Sequence, residues 1–450
     1  MARFFRARFR RDIPYNSRVD AIPTAQEDAW IWQMDMPVRR LSSKQQVRKA
    51  VFQCFCDPEP GSIQKLTCLS SAEWRDLLSW LDLSGLALYW LDRMSRLELL
   101  ESFPRWLVEE LQRRTSENRE RTTGMICESV AIQREFQRAS VSYSVMKGVS
   151  LSPISVPRLE LRHQFDLDYR VVERSAAEAQ RILEERGYHL YAVSGQTWEF
   201  KINETPNVSR KDLYKDLSYR SVELHLEPQG ASGRSLLKNV QYRELYGIMM
   251  PVLSPIDIFL GQALHVFKDV CSAYARTAHL LEFYRHVLTR REDEAFWHEL
   301  RSATEGDRRA RIGIGVVTRL LTAVMGEFAP EILTSYTSDV LPPSVRMWVD
   351  QYGERAVFAS EPGTKLYLLL QRELERCGVA GRRPIKTSLF PSRLPLPVIR
   401  GVAGESLATR LGRYQVQVRF GASRLRFHLV EGARFAVESY RWQQHLKRLS

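Results

Sequence analysis

The stretch Val145–Asp168 reads VMKGVSLSPISVPRLELRHQFDLD and ends with two acids alternating with two apolar residues. A strand turns successive side chains to opposite faces. Asp166 and Asp168 therefore share one face, and Phe165 and Leu167 are expected to point into a core. Two carboxylates about 7 Å apart along one strand face repel each other unless a cation lies between them. The same stretch opens with an apolar run that meets a Lys147-Gly148 turn. Asp-x-Asp beside a glycine turn reads as a magnesium site able to hold a nucleotide's phosphates.

A third acid has matching parity. In Arg220–Leu226, Val222, Leu224 and Leu226 occupy one strand face, while Ser221, Glu223 and His225 occupy the other. Three carboxylates suffice for two magnesium ions: Asp166 and Asp168 bridging, Glu223 serving the ion that activates the acceptor. Lys147 or Arg162 then pairs with the triphosphate. His225 is read as a packed or supporting histidine, because three oxygens already satisfy magnesium. On the helix from Ile256, Asp257, Gly261, His265 and Lys268 share a face, and Lys268 is a further candidate for the phosphates. His279, Glu282 and His286 fall three and four residues apart, which reads first as a solvated helix face and only second as a zinc face.

The elements that position these residues follow from apolar spacing. Ser43–Phe55 reads as a short helix in an otherwise proline-broken start. Ser71 is read as the cap of a helix with Trp74, Leu77, Leu78 and Leu81 inward, Leu86–Met94 is a second, and Pro104 starts a long one to about Arg138. The period changes at Tyr143. Strands are expected at Tyr143–Met146, Leu161–Val172, Tyr188–Val193, Thr197–Ile202 and Arg220–Leu226. One helix interrupts them, with Ser175 and Glu178 as a capping box and Gly187 as its stop. A polar insert spans Thr205–Leu217. Helix returns from Ile256 to about Val287, continues to Gly326, and recurs near Leu341–Tyr352. Gly378–Arg400 reads as a linker. Alternation in 411–450 (Tyr414, Val416, Val418, then Leu425, Phe427, Leu429) predicts a two-stranded hairpin before a last helix, Phe435–Leu449.

Lys147-Gly148, then Arg162-x-x-x-Asp166-x-Asp168, then Val222-Glu223-Leu224-His225, behind a helical block, resembles the uncharacterised nucleotidyltransferase family of the polymerase-β-like superfamily. Abortive-infection toxin nucleotidyltransferases have a similar arrangement. The resemblance covers roughly Ser70 to Val287. It implies a mixed sheet with Asp166 and Asp168 on one strand, Glu223 on a neighbour, and a helical domain closing over the nucleotide. It also implies transfer of a nucleoside monophosphate from a nucleoside triphosphate to an acceptor, with two Mg2+ ions as cofactors. Many superfamily members have Gly-Ser where this chain has Lys147-Gly148-Val149-Ser150. The candidate nucleotide-binding residues are Lys147, Gly148, Ser150 and Arg162, with Lys268 added from its helix face. The catalytic and metal-binding residues are Asp166, Asp168 and Glu223.

The expected fold class is α+β, mostly helical overall. A small mixed-sheet nucleotidyltransferase core is flanked by helical N-terminal and C-terminal domains, with a basic α/β tail. The expected boundaries are a loosely structured extension at 1–62, a helical domain at 63–140, the core at 141–252, a helical domain at 253–352, and linker with tail at 353–450.

Composition bounds the partners. The 450 residues carry a net charge of +13, with 26% charged and 44% hydrophobic residues, the balance of a globular protein. The first eleven residues contribute +5 and residues 371–450 contribute +11, leaving 12–370 at −3. Such basic ends suit RNA, a membrane surface or an acidic partner. Six cysteines lack zinc-knuckle or redox spacing. The Arg-rich start resembles a mitochondrial presequence, but no other feature supports an organelle, so a cytoplasmic location is expected. The most apolar window, 246–267, contains Pro251, Pro255 and Asp257, and no membrane span is expected. The leading reading is a magnesium-dependent nucleotidyltransferase with an unidentified acceptor. Beside it stand a toxin-like transferase acting on RNA and a non-catalytic nucleotide- or partner-binding protein of the same fold.

Overall fold

The computed structural model describes residues 41–56, 60–203, 212–217, 219–228, 235–379, 385–389 and 406–449. The Arg-rich start, most of the linker and residues 205–211 of the polar insert lie outside the described residues.

Before the sheet come α1 (Ser43–Gln53), α2 (Pro60–Thr67), α3 (Ser71–Ser84), α4 (Ala87–Arg96) and α5 (Arg105–Arg138). Local chemistry sets their ends. Ser70, rather than the expected Ser71, caps α3 in a reciprocal box, its backbone N–H donating to Glu73 Oε2 at 2.9 Å. Gly85, at φ +78°, closes α3 in the left-handed region. Pro104 stands at the cap of α5, where a missing N–H costs nothing.

The sheet contains β1 (Tyr143–Met146), β2 (Asp166–Val172), β3 (His189–Ser194), β4 (Thr197–Ile202), β5 (Arg220–Glu227), β6 (Gln241–Leu245) and β7 (Ile248–Val252), in the order β3-β4-β5-β2-β1-β7-β6. β2 runs parallel to β5 and β1 parallel to β7; the other pairs are antiparallel. The sheet is thus mixed, as expected. α6 (Ala176–Glu185) crosses between β2 and β3. Leu167, Tyr169 and Val171 of β2 and Val222, Leu224 and Leu226 of β5 form a buried face. Phe136 of α5 and Leu183 of α6 belong to the same core.

After the sheet come α7 (Pro255–Val270), α8 (Thr277–Thr289), α9 (Glu294–Thr304), α10 (Arg308–Met325), α11 (Glu331–Thr334), α12 (Pro343–Trp348), α13 (Glu354–Val357), α14 (Tyr367–Arg376), α15 (Ile385–Leu389) and α16 (Leu407–Leu449). Helices from both sides of the sheet share one apolar core, which holds Phe52, Trp74 and Trp90 together with Phe259, Trp297, Trp348 and Trp442. No helix among the described residues is long and apolar enough to cross a membrane. All six cysteines are free.

Further sequence expectations are corrected. The tail is one 43-residue helix rather than a hairpin and a helix. Its buried positions Glu431, Phe435, Glu438 and Trp442 recur at three- and four-residue spacing, and that stripe outweighs the alternation upstream. β2 begins at Asp166 rather than Leu161, because Leu159–Leu161 forms a 3-10 turn. Asn118 of α5 holds that turn by donating to Glu160 O at 2.7 Å. Phe165 therefore lies at the strand entrance, 37% exposed, with the Arg121 guanidinium 4.6 Å from its ring. Ser175 makes no side-chain cap, since Glu178 pairs instead with Arg181 at 2.6 Å. The β6–β7 hairpin was not foreseen. It turns at Tyr246-Gly247 (φ +47° and +75°), where the usual Asn-Gly signal is missing.

Candidate active site

The parallel register of β2 and β5 brings the acids together. Asp168 lies directly opposite Glu223, Asp166 opposite Ser221, and Arg170 opposite His225. On the other flank Met146 of β1 is paired with Asp168, so the chain leaves β1 at Lys147 immediately beside it. Lys147 has φ +50° and Gly148 φ +33°. At φ +33° Gly148 holds a backbone conformation that strains any side chain, and a Cβ there would also displace Gln164 Oε1, 2.3 Å away.

The turn aims the lysine into the acids. Lys147 Nζ lies 2.5 Å from Asp168 Oδ1 and 3.8 Å from Glu223 Oε2. His225 Nε2 lies 2.9 Å from Asp168 Oδ1 and 3.3 Å from Glu223 Oε2. Thr197 Oγ1, 3.1 Å from His225 Nδ1, holds the far side of the ring. One ligand-type atom each from Asp168, Glu223 and His225 lies within 4.8 Å of the others.

Charge and burial pull in opposite directions here. Burial would raise the Asp168 carboxyl, but the His225 hydrogen bond and the Lys147 charge hold it below the ordinary value. Burial would lower Lys147, yet Asp168 keeps it above the usual lysine range. Asp166 has no lysine of its own. Burial, then repulsion from Asp168, pushes it up to about 6.

The profile of the uncharacterised nucleotidyltransferase family matches residues 70–314, more than half of the chain. This chain belongs to that family. The match runs from the cap of α3 into α10 and so includes the whole sheet and both acid-bearing strands. No curated protein is significantly similar to the chain.

Among the residues anticipated for a nucleotidyltransferase, the structure brings together Lys147, Asp168 and Glu223, with Asp166 one pleat along the same strand face. Ser150 is buried, and its hydroxyl donates to Lys147 O at 2.8 Å, bracing the turn. Arg162 is largely committed. Its Nε donates to Glu282 Oε1 of α8 at 3.0 Å and its Nη1 to Gln164 Oε1 at 3.2 Å. Lys268 is not brought to the acids. It lines a separate recess with Arg309, Lys365 and Arg424.

A recess of about 610 Å³, counting its open mouth, adjoins the lysine turn. Lys147, Ser150 and Arg162 line one side, and Gln262, His265 and His279 line another. The sequence reading gave His225 a packed or supporting role, and its ring nitrogen touches both Asp168 and Glu223. The i, i+2 parity with Glu223 was the available signal. The expected face of His279, Glu282 and His286 is divided in the fold. His286 Nδ1 meets Gln262 Oε1 at 2.8 Å, Glu282 meets Arg162, and His279 meets Asp269.

Proposed function

We propose that this chain is a magnesium-dependent nucleotidyltransferase that moves a nucleoside monophosphate from a nucleoside triphosphate to an acceptor hydroxyl or phosphate. One observation carries the reading: a lysine ammonium stands between Asp168 and Glu223, 2.5 and 3.8 Å from their oxygens. Acids that already hold a positive charge between two strands have the spacing and the donor type for a hard divalent cation. Asp166, Asp168 and Glu223 supply oxygen only, which suits magnesium. His225 suits a supporting role, because its Nε2 fixes the Asp168 oxygen that faces the lysine.

Magnesium, when bound there, neutralises the triphosphate and lowers the pKa of the attacking hydroxyl. The chain does the rest. Lys147, released from Asp168, is on the right turn to pair with phosphate oxygens. Gly148 allows backbone to approach the phosphates without a Cβ in the way. Arg162 shapes the recess wall, with only the guanidinium atoms beyond its two bonds left for a ligand. The apolar residues of the recess, including Leu151 and Val266, suit a nucleobase or an apolar part of the acceptor.

A screen of pyrophosphate release tests the reading. Each of the four nucleoside triphosphates is supplied with cell extract as acceptor, in magnesium or in chelator. Release is expected with at least one triphosphate, only in magnesium, and lowered by orders of magnitude in Glu223→Gln. Magnesium-dependent nucleotide binding without release on any acceptor would leave a nucleotide-binding protein in place of an enzyme.

A further inference from the structure

Between α7 and α8 the described residues hold a second set of ligand-type side chains. His265 and Asp269 lie four residues apart on one face of α7, and His279 stands in the first turn of α8. One ligand atom from each lies within 4.8 Å of the other two. His279 Nδ1 is 2.7 Å from Asp269 Oδ2. The rings of His265 and His279 meet edge to face with centroids 4.7 Å apart.

A buried Asp–His hydrogen bond is common and needs no third member. Two features go beyond it here. His265 makes no hydrogen bond among the described residues, although it is largely enclosed and its ring is turned toward His279. Both histidines also line the recess beside Lys147, where a further ligand can reach an ion held between them.

We propose that His265, Asp269 and His279 bind one divalent transition-metal ion of the zinc type, with a further coordination position open to the recess beside Lys147. Two imidazoles and a carboxylate prefer such an ion over magnesium. Three protein ligands leave a fourth position free, and both histidines line the recess. Metal–ligand distances of about 2.0–2.2 Å put tetrahedral ligand atoms roughly 3.4 Å apart, so the side chains close in by little on binding. The ion takes the place of the proton in the His279 Nδ1–Asp269 hydrogen bond, and that proton moves to Nε2, so the ring ligates as a neutral imidazole. Burial holds both histidines down to about 3, in the neutral form that ligates. Lys147, Lys268, Arg162 and Arg276 are the nearby cations. Arg162 is paired with Glu282, and Arg276 Nη2 donates to His163 O at 3.0 Å. The proposal stands apart from the nucleotide reading, because it concerns different residues and nitrogen donors.

The test uses the full chain without an affinity tag, stripped with chelator and titrated with zinc and then cobalt. Bound zinc is measured by elemental analysis and cobalt by its visible absorption. One zinc per chain is expected, retained in excess magnesium. His265→Ala and His279→Ala should each weaken it at least about tenfold, while Asp168→Asn should leave it unchanged. His279 is buried, so its variant tests the site only if it folds; His265→Ala, checked by circular dichroism, tests it in any case. Zinc well below one per chain, or wild-type affinity in folded His265→Ala, would overturn the proposal. Loss of zinc in Asp168→Asn alone would place the metal at the other site and overturn it too.

Discussion

At the scale of single residues, Lys147 is the pivot. It was legible as a phosphate ligand beside a glycine, but its contact with Asp168 and Glu223 depends on a β1–β2 register that no local pattern reveals. Lys147→Met should lower stability in chelator by about 1–2 kcal/mol. That is below the range for a fully buried pair, because the lysine side chain is 36% exposed. The same variant should gain a larger rise in Tm from magnesium than the wild type, since no ammonium competes, and should bind nucleoside triphosphate more weakly. A smaller magnesium response would contradict the reading of Lys147 as a stand-in cation. Glu282 was read only as part of a helix face, and its role as partner of Arg162 and Tyr89 is a tertiary fact. Burial would raise its carboxyl, but the Arg162 charge holds it below the ordinary value of 4.5. A depressed folded-state value stabilises the fold above the unfolded value and stops doing so as pH falls through the folded one. Glu282→Gln should therefore cost about 3–5 kcal/mol at pH 7. Its urea midpoint should also fall less than the wild type's between pH 5 and pH 3.

At the scale of elements, period and caps were readable where one face is buried. The long α5, the strand carrying Asp166 and Asp168, and β5 with its inward Val222, Leu224 and Leu226 all follow from spacing. Errors arose where tertiary packing chose between two periods. The tail alternates at Tyr414–Val418, yet its second half is anchored as a helix. Trp442 Nε1 donates to Glu373 Oε1 of α14 at 2.9 Å, and Tyr352 OH donates to Glu438 Oε2 at 3.1 Å. These partners are 69 and 86 residues away in sequence, so no short window contains the deciding contact. Trp442→Ala should destabilise the protein by about 3–5 kcal/mol, measured by chemical denaturation. A loss under about 1 kcal/mol would mean that α16 is not seated in the core.

At the scale of the whole molecule, the basic end has two parts with different work. Its second half is built into the shared core, where the Trp442 ring meets that of Tyr352, so deleting the tail would expose Tyr352 rather than remove a charge alone. Its first half presents Arg419, Arg424 and Arg426 outward, with no acid between Ser406 and Val430. If an RNA acceptor is held there, changing all three to Gln should weaken binding at low salt. It should also reduce the slope of log affinity against log salt by about 2, at roughly 0.7 per phosphate contact on a single strand. An unchanged slope would remove this helix as an electrostatic grip. Charge asymmetry was plain in the sequence, whereas the division of the tail into an anchored and an exposed half was visible only in the fold.

The most direct test of the central claim follows the transferred group itself. The chain is incubated with each nucleoside triphosphate labelled at the α-phosphate, with magnesium and cell extract, and acceptor-bound label is counted for wild type and Asp168→Asn at matched fold. The wild type should transfer label from at least one triphosphate, and Asp168→Asn should transfer none above the chelator control. Equal labelling by the two proteins would contradict the assignment of Asp168, Glu223 and Lys147 as the centre of nucleotidyl transfer.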